Sequence, residues 1–542
     1  MRDGVVLVGD LYLPREGVFP TLLCKTPYDR TRPAVYPEIA AFLDHDYAVL
    51  IVSFRGRFGS AGHANEWETE GWGLHQDGYD TVEWAAAQPW SSGEVGTYGI
   101  SADGQWQLTT AATRPPHLKA ACASYAAHGR TGLMDGGVYT SVGPRWHAMT
   151  GMFAIELANR EDWNAWLEQW RETEAPMLMS FMHRGLLDIF QHVEYDDYWR
   201  GFDPAEKYDE FEIPILYECG WYDRYTGSQF LHWNGVRQEA RSEHARRGQK
   251  LVCGPWLHGG NLAPQTDNVR FGPEARSDRL TMMIRWFDHW LKGADNGVDR
   301  DPALRLYMSG AGRWVESDTW PPPGVTDHTL YLGAGDGTQH GSLNSGRLTP
   351  DPPHGEEPAD SYLHDPYDPV PTIGGHGGVT WMWPSGPLDQ REVESRCLTF
   401  TSEPLERALE VIGEPSVRLF ASTSAVDTDF IVTLSDVHPD GYSEIIRQAA
   451  LRGRHRGGDE STELMEPGEV YELLLRITPV VHSFGPGHRV RVTVASSSFP
   501  NFLPNAGTAE PPYLATKAVV AENAIYHDGG RRSAIVLPMV TG

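Results

Sequence analysis

Apolar residues come in two rhythms along this chain. In its first half, dense apolar runs of strand length (21–24, 48–54, 120–126, 214–219 and 249–253) take turns with segments that read as helices (38–45, 80–87 and 285–292). Unbroken apolar runs are what a sheet buried on both faces requires, and 5–13 alternates in part, as a half-buried strand does. Strands taking turns with helices predict a mainly parallel α/β sheet with right-handed crossovers. The pattern breaks between 128 and 208, where helix-like residues and tryptophans dominate. There Trp163, Trp166, Leu167 and Trp170 fall on one helical face, read as packing within a cap. A helical insertion above the strand ends is where a lid sits. After Pro321-Pro-Pro-Gly324 the rhythm shortens. Runs at 329–332, 416–421, 430–434, 471–477 and 489–494, separated by Gly, Pro and Asp, predict an all-β sandwich or jelly roll. The stretch 336–384, rich in Gly, Pro, Asp and His, is expected to be a long loop. The expected layout is therefore a sheet domain in two parts (1–127 and 209–322), a helical cap (128–208) and a β domain (325–542).

Composition narrows the function. A chain of 542 residues holds several domains, and its formal charge of −28 argues against nucleic acid or an anionic membrane as partner. Cys24, Cys122, Cys219, Cys253 and Cys397 form no C-x-x-C pair and read as buried thiols in a reducing, cytoplasmic setting. No run reaches the length of a membrane span. H-E-x-x-H, a phosphate-binding glycine loop and zinc spacing are all missing, so neither metal nor cofactor is expected. Asp427, Asp429, Asp436 and Asp440 lack the glycine and glutamate of a calcium loop and read as solvated turns.

The chemistry gathers around Gly96-Thr-Tyr-Gly-Ile-Ser-Ala-Asp-Gly104. An apolar strand end runs straight into Ser101, and a helix follows until Pro115-Pro116. Small neighbours let the backbone turn sharply enough to project the serine hydroxyl from the sheet. The same turn aims the Ala102 N–H and the positive helix end at the space above it, a place for an oxyanion. The spacing, G-x-S-x-x-G, is one residue longer than the usual nucleophile elbow. A serine nucleophile also needs a base and a carboxylate to orient it. Asp223 stands just past the strand 214–219, and His258 just past 249–253, in the serine–acid–histidine order of α/β-hydrolases. In this reading His258 relays the Ser101 proton and Asp223 holds the imidazole.

These segments, with Thr26-Pro-Tyr-Asp29, Arg55-Gly-Arg-Phe-Gly-Ser60, Asp77-Gly-Tyr-Asp80, Gly220-Trp-Tyr-Asp223, Gly254-Pro-Trp-Leu-His-Gly259, Phe287-Asp-His-Trp-Leu-Lys-Gly293 and Gly485-Pro-Gly-His-Arg489, resemble the CocE/NonD family of serine hydrolases over the whole length. That family is related to X-prolyl dipeptidyl peptidases and α-amino-acid ester hydrolases. The resemblance implies an α/β-hydrolase domain with an inserted helical cap and a C-terminal jelly roll. It also implies that the Tyr28 hydroxyl joins the Ala102 N–H in the oxyanion hole. Five positions depart from the family pattern: Ala102 replaces the usual tyrosine, Ser53 replaces an aspartate, and Arg224, Tyr225 and Thr226 stand where relatives acting on α-amino acyl groups carry acids. The expected activity is hydrolysis of a small-molecule carboxylic ester or amide. An acylase or dipeptidyl-peptidase-like amide hydrolase, and a non-catalytic protein binding through its jelly roll, are the alternatives. A homo-oligomer stays open.

Overall fold

The computed structural model describes residues 1–62, 68–126, 129–140, 142, 146, 189–335, 341–377, 384–511 and 514–540. Nine strands form the first sheet: β1 (Gly9–Tyr12), β2 (Phe19–Thr26), β3 (Ala48–Ser53), β4 (Ser91–Ile100), β5 (Leu118–Ser124), β6 (Ile215–Tyr222), β7 (Gln249–Leu257), β8 (Leu304–Met308) and β9 (Arg313–Ser317). Their spatial order is β1-β3-β2-β4-β5-β6-β7-β8-β9. Pairing is parallel from β3 through β8, with antiparallel strands at the two edges.

The alternation of strand side chains sorts the core into two layers. Leu23, Leu50 and Val52 face one cluster with α2 (Asp77–Ala86), α3 (Ala102–Ala111) and α4 (Thr226–Glu239). Their neighbours Leu22, Val49 and Ile51 face the other, with α1 (Tyr36–Asp44) and α5 (Arg279–Lys292). Helices therefore cover both faces, which explains the unbroken apolar runs. α5 begins six residues earlier than the pattern foretold and packs on β4 at Gly96, where an added Cβ would lie 2.7 Å from the Phe287 ring.

Thirteen further strands, all after Val325, make a second and mostly antiparallel sheet. Side chains from every one of them meet in a single core, so the sheet folds over on itself. Two corrections belong here. Within 336–384, expected as loop, Gly346–Thr349 and Asp360–His364 are strands; they are too short and too polar to show a periodicity. Of the four aspartates expected in solvated turns, Asp440 is exposed in a turn, but Asp427, Asp429 and Asp436 are not. Asp427 and Asp429 are buried and paired with Arg454 and Arg452, because antiparallel neighbours place Asp429 directly opposite Arg452. Asp436 is likewise buried, between His482 and His488.

The two sheets meet at Gly310, where a Cβ would sit 2.1 Å from the Ser483 carbonyl, and along a parallel bridge between Ser309 and His482. All five cysteines are buried and free. Among the described residues no helix is long and apolar enough to cross a membrane. The Trp163–Trp170 stripe lies outside the described residues.

Candidate active site

Every predicted site residue lies at the carboxyl end of a parallel strand, where open α/β sheets present their clefts. Ser101 follows β4 with φ 61° and ψ −126°, a strained conformation for a residue with a Cβ. The turn is sterically closed to larger neighbours. A Cβ on Gly99 would lie 2.2 Å from the Asp103 carbonyl oxygen, and one on Gly104 would lie 2.9 Å from that of Gly99. The Ser101 N–H donates to the Ser124 carbonyl on β5 at 2.9 Å, which ties the elbow to the sheet. Ala102, buried, opens α3 and so carries one of the N–H groups that a helix leaves without an internal acceptor.

Asp223 follows β6 and is wholly buried. One carboxylate oxygen accepts the Tyr225 N–H at 2.8 Å, and the other lies 2.5 Å from Nδ1 of His258, the residue after β7. The turn before Asp223 needs Gly220, whose Cβ would otherwise lie 2.3 Å from the Trp256 carbonyl. The rings of Tyr225 and Tyr125 stand edge-on to the His258 ring at 5.6 and 6.1 Å, leaving the imidazole little freedom to rotate.

Tyr28, on the loop after β2, brings its hydroxyl within electrostatic reach of Ser101. Its N–H donates to Thr26 Oγ1, and the Arg32 guanidinium, paired with Asp103 of α3, lies over its ring at 5.2 Å. Enclosure of the hydroxyl, reinforced by the Asp103 charge, pushes its pKa up to about 12, so the phenol stays protonated and able to donate. Tyr28 and Asp223 both act electrostatically on Tyr225, which ties the two halves of the site together.

Sequence reasoning missed the supports. Trp146 donates its indole N–H to the Tyr28 hydroxyl at 2.7 Å. Beneath the site, buried Glu218 on β6 accepts from Ser277 at 2.7 Å and pairs with Arg279 at 3.1 Å, while Arg279 also reaches Glu38. Burial raises the Glu218 pKa, and the Arg279 charge opposes that rise. No motif marks these residues, because their partners stand far away in the chain. Among the described residues, donors grouped closely enough for a metal are Asp436 with His438 and His488, and Asp436 with Glu444 and His482. These lie in the β domain, and the Asp436 oxygens already accept from His482 and His488 at 2.9 and 2.8 Å.

Comparison with known proteins agrees with this layout. Residues 3–260 match the model of the X-Pro dipeptidyl-peptidase S15 family, and 296–536 match the X-Pro dipeptidyl-peptidase C-terminal non-catalytic domain. A cocaine esterase from Rhodococcus is 31% identical, over 100% of this chain and 97% of its own. The chain belongs to the CocE/NonD family of serine hydrolases. This hydrolase also superposes on an α-amino acid ester hydrolase (TM-score 0.79, 24% identity, 99% of this chain and 95% of that one). A CocE/NonD family hydrolase from Staphylococcus aureus gives a TM-score of 0.72 at 18% identity, covering 100% and 92%. Both support the same α/β-hydrolase fold with a C-terminal β domain. The protein is an enzyme, a serine hydrolase acting on esters or amides.

Proposed function

We propose that this hydrolase cleaves a small-molecule carboxylic ester through an acyl-enzyme on Ser101. The observation that carries the reading is the strained Ser101 elbow on the sheet edge that also holds the 2.5 Å His258–Asp223 contact. Ser101 Oγ attacks the acyl carbon as His258 takes its proton, and Asp223 holds the imidazole by its Nδ1–H and stabilises the imidazolium. The carbonyl oxygen becomes an alkoxide that accepts from the Tyr28 O–H and the Ala102 N–H. The C–O bond to the alcohol breaks, and His258 returns the proton to it. Water, deprotonated by His258, then attacks the acyl carbon; the bond to Ser101 Oγ breaks, His258 returns the proton to Oγ, and the carboxylic acid leaves.

In this reading 128–208, inserted between β5 and β6, forms the cap over the strand ends, and 325–542 walls the site from the β domain. Arg224, Tyr225 and Thr226 follow Asp223, so no acid there meets an α-ammonium group, which argues against α-amino acyl substrates. The family model also fits an amide-cleaving alternative, and esters and amides of one acyl group separate the two.

The test is Ser101→Ala together with a serine-directed phosphonate. Turnover of p-nitrophenyl esters is abolished in the variant, and the phosphonate labels Ser101 alone. Retained turnover removes the proposal.

A further inference from the structure

A cavity of about 620 Å³ opens where residues 130–136, the first turns of α4 and the β domain come together. That volume falls in the range of ligand pockets, ~300–1,000 Å³. Its buried lining includes Arg130, Arg224 and His376, which are 4%, 8% and 2% exposed. Each brings a nitrogen that finds no hydrogen-bond partner: Arg130 Nε, Arg224 Nε and His376 Nδ1. Arg130 is otherwise engaged, with Asp459 at 2.6 Å and the Val193 carbonyl at 3.0 Å. Arg224 makes no ion pair among the described residues. Its guanidinium lies over the Phe502 ring, at 5.6 Å, and Asp135 and Asp223 act on it only through their charge, beyond ion-pair distance.

A buried guanidinium without a partner is costly, and such groups are uncommon unless something binds them. The acids around the cavity bond elsewhere or reach Arg224 through their charge alone. Asp459 holds Arg130, Asp203 accepts the N–H of Ala205, and buried Asp135 acts on Arg224 without an ion pair. Glu206 takes the Tyr195 hydroxyl, and Glu414 takes the Trp320 indole. Water can satisfy the orphaned nitrogens one at a time. An anion with several acceptor oxygens satisfies them together and adds charge-assisted bonds to Arg224.

We propose that this cavity is a binding site for a small carboxylate, whose oxygens accept from Arg224, His376 and Arg130. The site stands independently of the chemistry at Ser101, so binding is measured in the Ser101→Ala protein. Sodium succinate, titrated at constant ionic strength against sodium chloride, raises the melting temperature saturably, whereas ethylammonium chloride does not. Arg224→Met, which keeps the length and apolar stem of the side chain, loses the succinate response. A parent protein indifferent to succinate, or an equal response in Arg224→Met, overturns the proposal. If Arg224→Met does not fold, His376→Leu is read instead. With Arg224 intact it weakens succinate binding by about tenfold or more, and unchanged affinity is the contrary result. Turnover by the parent protein then separates the two sources of the carboxylate. Competitive inhibition by succinate against a succinate half-ester makes it an arm of the substrate; binding without inhibition makes it a separate ligand.

Discussion

The indole Nε1 of Trp146 lies 2.7 Å from the hydroxyl oxygen of Tyr28, 118 residues away in the chain. An indole can only donate, so the Tyr28 oxygen is the acceptor and its single proton is left to point elsewhere. Ser101 stands within its electrostatic reach. On the proposed mechanism Trp146 is a positioning residue that directs the phenol proton toward the forming oxyanion. Tyr28→Phe is expected to lower kcat by ~10²–10³ with little change in KM. Trp146→Phe keeps an aromatic ring but loses the N–H, and lowers kcat by about tenfold. In the Tyr28→Phe background Trp146→Phe has little further effect on kcat. Additive losses in steady-state ester kinetics would show that Trp146 serves only as a wall.

Asp223→Asn tests the orienting role of the carboxylate. With Asp223 buried and 2.5 Å from Nδ1, the amide can still bond the imidazole but favours the wrong tautomer. A fall in kcat of ~10³–10⁴ is expected, with the melting temperature little altered. An active variant excludes Asp223 from the relay.

Gly99→Ala brings a Cβ to 2.2 Å from the Asp103 carbonyl oxygen, which is backbone and cannot step aside. The elbow must open, displacing the Ser101 hydroxyl. Phosphonate labelling is expected to slow by ~100-fold, the usual penalty of a misplacement near 1 Å. Labelling at the parent rate would mean that the turn tolerates a side chain.

In the β domain, Arg452 and Asp429 are each 1% exposed and share two bonds, of 2.8 and 2.9 Å. Asp429→Ala strands the guanidinium and is expected to cost ~3–5 kcal/mol. Asp429→Leu with Arg452→Met recovers most of that loss, as urea denaturation will show. A double variant as unstable as the single one contradicts this account.

Burial, with Arg130 nearby, holds the His455 pKa down to about 4, against 6.5 in the unfolded chain. A depressed folded pKa contributes stability that is present above pH 6.5 and lost as pH falls through 4. The contribution is about 3 kcal/mol at neutral pH. His455→Gln therefore flattens the decline in stability between pH 7 and pH 4. Parallel urea-midpoint curves for parent and variant would refute it.

Much of the sheet domain was legible beforehand because its strands are buried on both faces. Ala48–Ser53 and Gln249–Leu257 stand out as apolar runs whatever they pack against. α4 did not stand out, since Gln229 and His232 are buried beside Phe230 and Trp233, and polar residues in the core blur the periodicity. The short strands Gly346–Thr349 and Asp360–His364 left no pattern, and Asp427, Asp429 and Asp436 misled, because a carboxylate facing an arginine or a histidine looks the same in sequence as one facing water.

The sequence by itself determined the order of the chemistry: a serine in a glycine-bounded turn, then an acid and a histidine, each at the close of an apolar run. Strand ends and tight turns are local, set by steric limits on a few adjacent residues. Only the tertiary structure decided which side chains stand behind them. Trp146 reaches Tyr28, Arg279 bridges Glu38 and Glu218, and Arg224 is left without an ion pair, because these pairings depend on how distant segments pack. No spacing along the chain encodes a contact made across the core.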